Sequence, residues 1–234
     1  MFFALNHNVL PAHKGMAKRI EKILQPTYSI IVIYRMLKGD LNHIITTDIY
    51  LIDQILKGRY KGGGKLLDAG CGGGRNISWF VLQSNFDIYA IDTDKNAINR
   101  LSQIYPSLKQ DQLHYASIQL LPFPDEFFHH VICSAVLHFA KNKEDLLQMF
   151  SELNRVLKPG GSLFIRAASD IGIENKILPL GNGRFSLPDG TERFLLTKLL
   201  IEQVLNTFLM KLAEPVKTTN VQDLRCMTTL VFVK

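Results

Sequence analysis

Two kinds of residue in this chain are spaced so that they could do chemistry: glycines crowded into one turn, and single acids at the ends of apolar runs. Leu66 to Asn76 reads LLDAGCGGGRN, an apolar run, Asp68, four glycines within five positions, and a resumed helical pattern. Gly70, Gly72, Gly73 and Gly74 lack a Cβ, so the main chain can take positive φ there and press N–H groups against a guest at the positive end of a following helix. Such a turn suits a nucleotide-like or anionic ligand. A second short β run, DIYAID, ends on Asp92 about twenty residues after the loop, where Rossmann-like sheets place an acid for a ribose diol. One carboxylate can accept from both hydroxyls of a ribose. Capping of the helix that begins near Lys95 is the plain alternative for Asp92, although Asp94 is better placed for it. Asp68 either shapes the loop through its backbone amides or touches the ligand.

The spacing separates possible guests. A G-x-G-x-x-G dinucleotide fingerprint counted from Gly70 needs glycine where Arg75 stands, so that pattern fails. What stands, D-A-G-C-G-G-G from Asp68, resembles the first motif of the class I S-adenosylmethionine-dependent methyltransferases, of the type 11 kind. Ala116 to Asp125, ASIQLLPFPD, resembles the family segment that usually begins Gly-Asp-Ala, with Ser117 where the family has the aspartate that accepts from the adenine amino group. A hydroxyl accepts more weakly than a carboxylate, and the N–H of Ile118 can serve an adenine ring nitrogen. Leu137-His138 resembles the family's Leu-His pair, close to where the methionine end of the cofactor and the substrate meet. His138 either orients a substrate or accepts a proton, or it is a packed residue at a helix start. Leu153 to Gly161, apart from Asn154, matches the post-motif of small-molecule methyltransferases. Gly74-Arg75-Asn76 is similar, over about twenty residues, to the tellurite-resistance methyltransferases. The resemblance implies S-adenosylmethionine as cofactor, a cofactor site of Asp68, Gly70, Cys71, Gly72, Asn76, Asp92, Thr93, Ser117, Ile118 and Ser134, and His138 as the candidate catalytic group.

The elements that must position these residues follow from the periodicity. After the flexible KGGGK of residues 61–65, the pattern predicts strand Lys65–Ala69, helix Arg75–Gln83, strand Asp87–Ile91, helix Lys95–Tyr105 and strand Gln112–Ser117. A fourth strand within Phe127–Phe139 empties at Ser134. A helix with the stripe Leu146, Phe150, Leu153 and Leu157 stops at Lys158-Pro159-Gly160-Gly161, before strand Ser162–Ala167. Helix Thr197–Thr207 and strands Phe208–Pro215 and Arg225–Val233 close the chain. Strand and helix in alternation predict a parallel sheet covered on both faces, with ligands beyond the carboxyl ends of the strands, and Gly70, Asp92 and Ser117 all fall at such ends. The expected fold is α/β: a Rossmann-like doubly wound sheet, mostly parallel, with a C-terminal antiparallel hairpin and an N-terminal helical cap. Residues 1–60 form the cap or lid and 61–234 the methyltransferase domain. The cap is read as helices Met16–Gln25, Thr27–Lys38 and Leu41–Leu56.

Composition narrows the class. The chain has 234 residues, 47% of them apolar, and a mean hydropathy near zero, enough for one well-buried domain plus an appendage. The apolar run Tyr28–Leu37 is broken by Arg35 and too short to cross a bilayer, and no secretory pattern opens the chain, so a cytoplasmic protein without membrane attachment is expected. Cys71, Cys133 and Cys226 are scattered and the histidines do not cluster, so no metal is expected. The net charge of +6 lies wholly before residue 66, where ten Lys/Arg face four Asp/Glu; the remainder holds seventeen of each. Lys14, Lys18, Arg19 and Lys22 either form a basic face for an acidic partner or a solvated helix face, and without interleaved aromatics nucleic acid is not the expected partner. Residues 169–197 carry too many Gly and Pro for a helix or central strand; they are a substrate loop, with Arg184, Phe185 and Arg193 for an acidic or planar substrate, or a surface insertion. The expected partner is a small-molecule acceptor, against alternatives of an RNA or protein methyltransferase or a cofactor-binding protein without turnover. The oligomeric state is not encoded in any pattern found.

Overall fold

Leu66 and Leu67 are adjacent, both fully buried, and belong to different apolar clusters, because successive side chains of a strand point to opposite faces. This strand must therefore be covered twice. The computed structural model describes residues 46–234, which form one compact unit, and shows the cover on both sides. On one face, Leu67, Ala69, Ile91 and Val131 pack with Leu146, Phe150 and Leu153 of helix Lys143–Val156 and with Leu200, Ile201 and Val204 of helix Lys198–Phe208. On the other, Leu66, Ile88 and Ile132 pack with Leu51, Phe80, Ile98 and Leu101. Each such side chain, fully buried, contributes about 1.5–3 kcal/mol.

In chain order the elements are α1 (Ile49–Leu56), β1 (Gly64–Ala69), α2 (Ser78–Val81), β2 (Phe86–Asp92), α3 (Lys95–Ile104), β3 (Leu113–Tyr115), β4 (Phe128–Ser134), α4 (Lys143–Val156), β5 (Leu157–Ser169), β6 (Leu178–Gly181), β7 (Arg184–Ser186), β8 (Glu192–Phe194), α5 (Lys198–Phe208), β9 (Lys211–Leu212), β10 (Lys217–Val221) and β11 (Arg225–Val233). The main sheet runs β10-β11-β5-β4-β1-β2-β3, with β9 also on β11. Strands β1 to β5 pair in parallel, and β9, β10 and β11 join antiparallel. The chain moves outward from β1 through β2 to β3, then returns to the other side of β1 with β4. That reversal opens a crevice at the carboxyl ends of β1 and β4.

The fold is the Rossmann-like doubly wound sheet with a C-terminal antiparallel hairpin. Several local details depart from the periodicity. The helix expected over 75–83 shrinks to the four residues of α2, since Ile77 stands at its start without a capping side chain. The strand expected over 112–117 is only Leu113–Tyr115, because Gln112 closes a 3-10 turn and bonds Asp87. Lys158-Pro159-Gly160-Gly161 is not a helix stop ahead of a new strand; β5 already begins at Leu157, and the pair is irregular between Phe128 and His130, with Gly160 at φ +75°. Residues 178–194 form a three-stranded antiparallel sheet, β6-β7-β8. In the closing hairpin β11 pairs chiefly with Lys217–Val221, while Lys211–Leu212 adds two residues on its other side. Helix α1 starts at Ile49, capped by the Asp48 carboxylate on the N–H of Tyr50, rather than running in from Leu41. The expected helices Met16–Gln25 and Thr27–Lys38, the start of Leu41–Leu56, and the basic group Lys14, Lys18, Arg19 and Lys22 lie outside the described residues. No described helix is long and apolar enough to cross a membrane.

Candidate functional site

The glycine turn is held by its own backbone. The N–H groups of Gly70 and Cys71 both donate to the carbonyl of Ile91 at 2.9 Å, Gly74 N–H donates to Cys71 O at 2.8 Å, and Gly72 N–H donates to Asp92 Oδ2 at 2.8 Å. These amides are thus committed to β2 and to the turn. With only four residues in α2, the expected anion seat on amides at a helix start is replaced by a turn that presents its surface. Gly70 has φ +83° and a Cβ there would meet Val136 Cγ2 at 2.4 Å, so only glycine fits between β1 and the loop after β4. Gly72 is the opposite case: φ is +50°, but a Cβ would meet nothing within 4 Å, because open space begins there.

That space is a cavity of about 530 Å³ whose wall includes Gly70, Gly72, Ile91, Asp92, Thr93, Ser117, Ile118, Ala135, Val136, Phe139 and Met149. It lies at the carboxyl ends of the parallel strands and is of the size that takes a small molecule or cofactor. Asp92 accepts from Gly72 N–H through Oδ2 and from Asp94 N–H through Oδ1, both at 2.8 Å, which leaves each oxygen a further lone pair. Asp94 caps α3 by accepting from Asn96 N–H at 2.8 Å. Ser117 Oγ donates to Gln119 Oε1, and Gln119 Nε2 donates to Asp145 Oδ1 at 2.8 Å. A carboxylate therefore reaches the Ser117 side of the cavity from α4, a connection that a polar pair two residues apart in a loop did not reveal.

Gly70, Gly72, Asp92, Thr93, Ser117 and Ile118 are brought together on this wall, and Asp68, Cys71, Asn76 and Ser134 are not. Asp68 is buried at the end of β1, its Oδ2 has no hydrogen-bond partner, and burial, only partly offset by the Arg75 charge, pushes its pKa up to about 7. Cys71 is buried, which raises its thiol well above the usual range and makes it inert. Asn76 accepts from the backbone N–H of Asp48 at 3.2 Å, and Ser134 donates to Asp48 Oδ2 at 3.2 Å, so both serve the segment ahead of α1.

His138 lies in the 3-10 turn Leu137–Phe139 and is 7% exposed, yet it borders a second cavity, of about 300 Å³. The two cavities share Ala135, a residue at φ +64° whose N–H donates to Arg166 O at 2.7 Å. Burial, helped by the Arg193 charge, lowers the pKa of His138 to about 4. Its Nδ1 accepts from Ala168 N–H at 3.4 Å, which assigns the ring proton to Nε2. Arg193 borders this second cavity too. Arg184 instead donates to Ala140 O at 3.3 Å, and Phe185 belongs to a separate hollow beside Asn142 and Leu200. Among the described residues no group of three or more His, Cys, Asp or Glu is arranged to hold a metal ion.

Residues 67–165, from β1 to β5, match the family model described as a methyltransferase domain. The chain is 36% identical over 108 residues to the biotin biosynthesis bifunctional protein BioHC of Teredinibacter turnerae, a match that covers 42% of this chain and 18% of that protein. It is 31% identical over 106 residues to the demethylmenaquinone methyltransferase of Bacillus licheniformis, covering 43% of each. The match thus spans less than half the length of either relative. In fold, it resembles a SAM-dependent methyltransferase from Methanosarcina mazei with a TM-score of 0.60 at 18% identity, covering 77% of this chain and 96% of that one. Strand order and glycine turn agree with that match: residues 67–165 are similar to a methyltransferase domain, and the fold is that of S-adenosylmethionine-dependent methyltransferases.

Proposed function

We propose that this protein transfers a methyl group from S-adenosylmethionine to a small-molecule acceptor. One observation carries the reading: a single cavity joins the glycine turn, Asp92 and the Ser117-Ile118 loop at the carboxyl ends of the parallel strands. The group fits these residues, since the wall at Gly72 is open where any side chain would fill it and Asp92 retains acceptor capacity on both oxygens. In this reading Asp92 accepts from the ribose hydroxyls, Ser117 and the N–H of Ile118 address the adenine, and Gly70, Gly72 and Thr93 border the sugar. Asp68 sets the end of β1 from below, and Asn76 and Ser134 act through Asp48.

When bound, the cofactor would supply an activated methyl on a sulfonium for transfer to a lone pair of the acceptor. The protein's part is to hold the acceptor in line, which can supply roughly 7–11 kcal/mol. Val136, Phe139 and Met149 give the cavity an apolar side, and an apolar setting favours a transition state in which charge on sulfur is being lost. His138 is neutral at pH 7 with its Nδ1 occupied, and serves as an orienting donor rather than as a base.

Calorimetric titration with S-adenosylmethionine and S-adenosylhomocysteine tests the cavity. Binding of both is expected, followed by release of S-adenosylhomocysteine when a panel of small acceptors is added; failure to bind either compound overturns the reading. A cofactor-binding protein without turnover is the second reading. It is favoured by Ser117 in place of the family's aspartate and by the engagement of its hydroxyl with Gln119, and normal binding with no release over the panel would select it.

A further inference from the structure

The second cavity draws four guanidinium groups from four distant stretches: Arg75 after the glycine turn, Arg166 on β5, Arg193 on β8 and Arg225 at the start of β11. Its floor is apolar, with Ala168 and Leu187 buried and Met227 packed against them. The charges do not cancel. Asp48 takes Arg166 at 3.0 Å and stands 3.9 Å from Arg75, and Asp189 stands 3.6 Å from Arg225. Among the described residues Arg193 has no carboxylate partner; it lies over the Phe139 ring, 5.1 Å from its centroid, and donates to the Glu192 carbonyl. His138, lowered to a pKa of about 4, adds no charge at neutral pH. Four cations therefore face two carboxylates, and Arg166 Nε is a buried donor without a hydrogen-bond partner. The Arg75 and Arg225 side chains are about half exposed, but the buried Arg166 Nε without a partner and Arg193 without a carboxylate leave donors that an anion would satisfy, because an unpaired buried donor costs free energy.

We infer that this cavity is the acceptor site and that the acceptor is a small organic anion, an apolar body with a carboxylate or phosphate head held by Arg193, Arg225 and Arg75. The inference rests on the methyltransferase reading and deepens it, since Ala135 lines both cavities. Planar guanidinium forks suit both kinds of head group, and an amide of the same shape leaves them unpaired.

The test is calorimetry on the full chain saturated with S-adenosylhomocysteine, using benzoate, phenyl phosphate and the neutral benzamide as probes. At least one of the two anions is expected to bind ten times or more as tightly as benzamide, and which one it is distinguishes carboxylate from phosphate. Arg193→Gln and Arg225→Gln are each expected to weaken that anion about tenfold or more. Arg225→Gln leaves the affinity for S-adenosylhomocysteine within about twofold, which also reports that the variant is folded. Equal binding of anions and benzamide, no binding of either anion, or anion affinity that survives both substitutions overturns the inference. Failure of the wild-type chain to bind S-adenosylhomocysteine, read in a separate titration, would instead remove the cofactor site, and the acceptor role of this cavity with it.

Discussion

The two cavities share a wall but are built in different ways. The one at the strand ends is shaped at its glycine turn by main chain: Gly70 and Cys71 hang from Ile91 and Gly72 hangs from Asp92, with the Ser117-Ile118 loop and the loop after β4 completing the wall. The arginine cavity is shaped by side chains from residues 75, 166, 193 and 225, brought together only when β5 and β11 pair and β8 folds back. Backbone frames are rigid and intolerant of added atoms, whereas side-chain frames are adjustable and tuned by charge. Substitutions should separate the two by the kind of damage they do.

The largest expected effect concerns the buried ionisable groups beneath them, whose shifts oppose each other over one pH interval. Asp68 has a raised pKa, so its carboxyl favours the fold when protonated: that contribution is complete below the ordinary carboxylate range and is lost as pH rises toward 7. His138 has a lowered pKa, so its contribution is complete above the ordinary histidine value of about 6.5 and is lost as pH falls toward 4. The two contributions amount to roughly 4 and 3 kcal/mol. Unfolding free energies from urea titrations at pH 4.5 and 7 are expected to rise between those values in Asp68→Asn relative to wild type, and to fall in His138→Gln. Parallel curves for all three proteins would refute both assignments.

Next come the glycines. Gly70→Ala must place a Cβ against Val136 at φ +83° and is expected to cost about 2–4 kcal/mol of stability along with cofactor binding. Gly72→Ala, with φ +50° but open space, is expected to cost only about 1 kcal/mol in stability, measured by thermal unfolding, while still obstructing the cavity. Equal stability losses would mean that the turn is not backed by the loop after β4.

Asp92→Asn is expected to weaken S-adenosylhomocysteine binding by about tenfold or more, by calorimetry, since bonds to a charged acceptor are worth ~1.5–3 kcal/mol. The smallest effect is expected for Ser117→Ala, about two- to fivefold in the same titration, in keeping with ~0.5–1.5 kcal/mol for a neutral bond. An unchanged dissociation constant would remove Ser117 from the adenine side. Neither substitution touches the arginine cavity, so probe binding there should be unaltered.

Much of the first cavity could be read before any coordinates. LLDAGCGGGRN and DIYAID announce a strand, a glycine turn and a terminal acid through local spacing alone, and the turn does meet Asp92. What local spacing leaves open there is side-chain direction. Asn76 and Ser134 carry side chains of the right type, but direction decides their partner, and both turn toward Asp48. His138 by type can orient a substrate, accept a proton or pack at a helix start, and the structure adds that burial lowers its pKa to about 4 and that its Nδ1 accepts from the Ala168 N–H. Residues 178–194, rich in Gly and Pro, suggest a loop because no apolar period survives; the small sheet there is held by pairing among its own three short strands.

What the amino-acid order determined by itself is the alternation of strand and helix and the glycine turn, because those depend on Cβ atoms, period and neighbours a few positions apart. What only the tertiary structure decided is the second cavity. Arg75 follows the glycine turn and Arg193 is expected to face an acidic or planar substrate, but Arg166 and Arg225 stand in no motif, and the four become one site because the sheet order carries β5 beside β4 and β11 beside β5. Convergence of that kind depends on which strands pair, a long-range choice that no local spacing encodes.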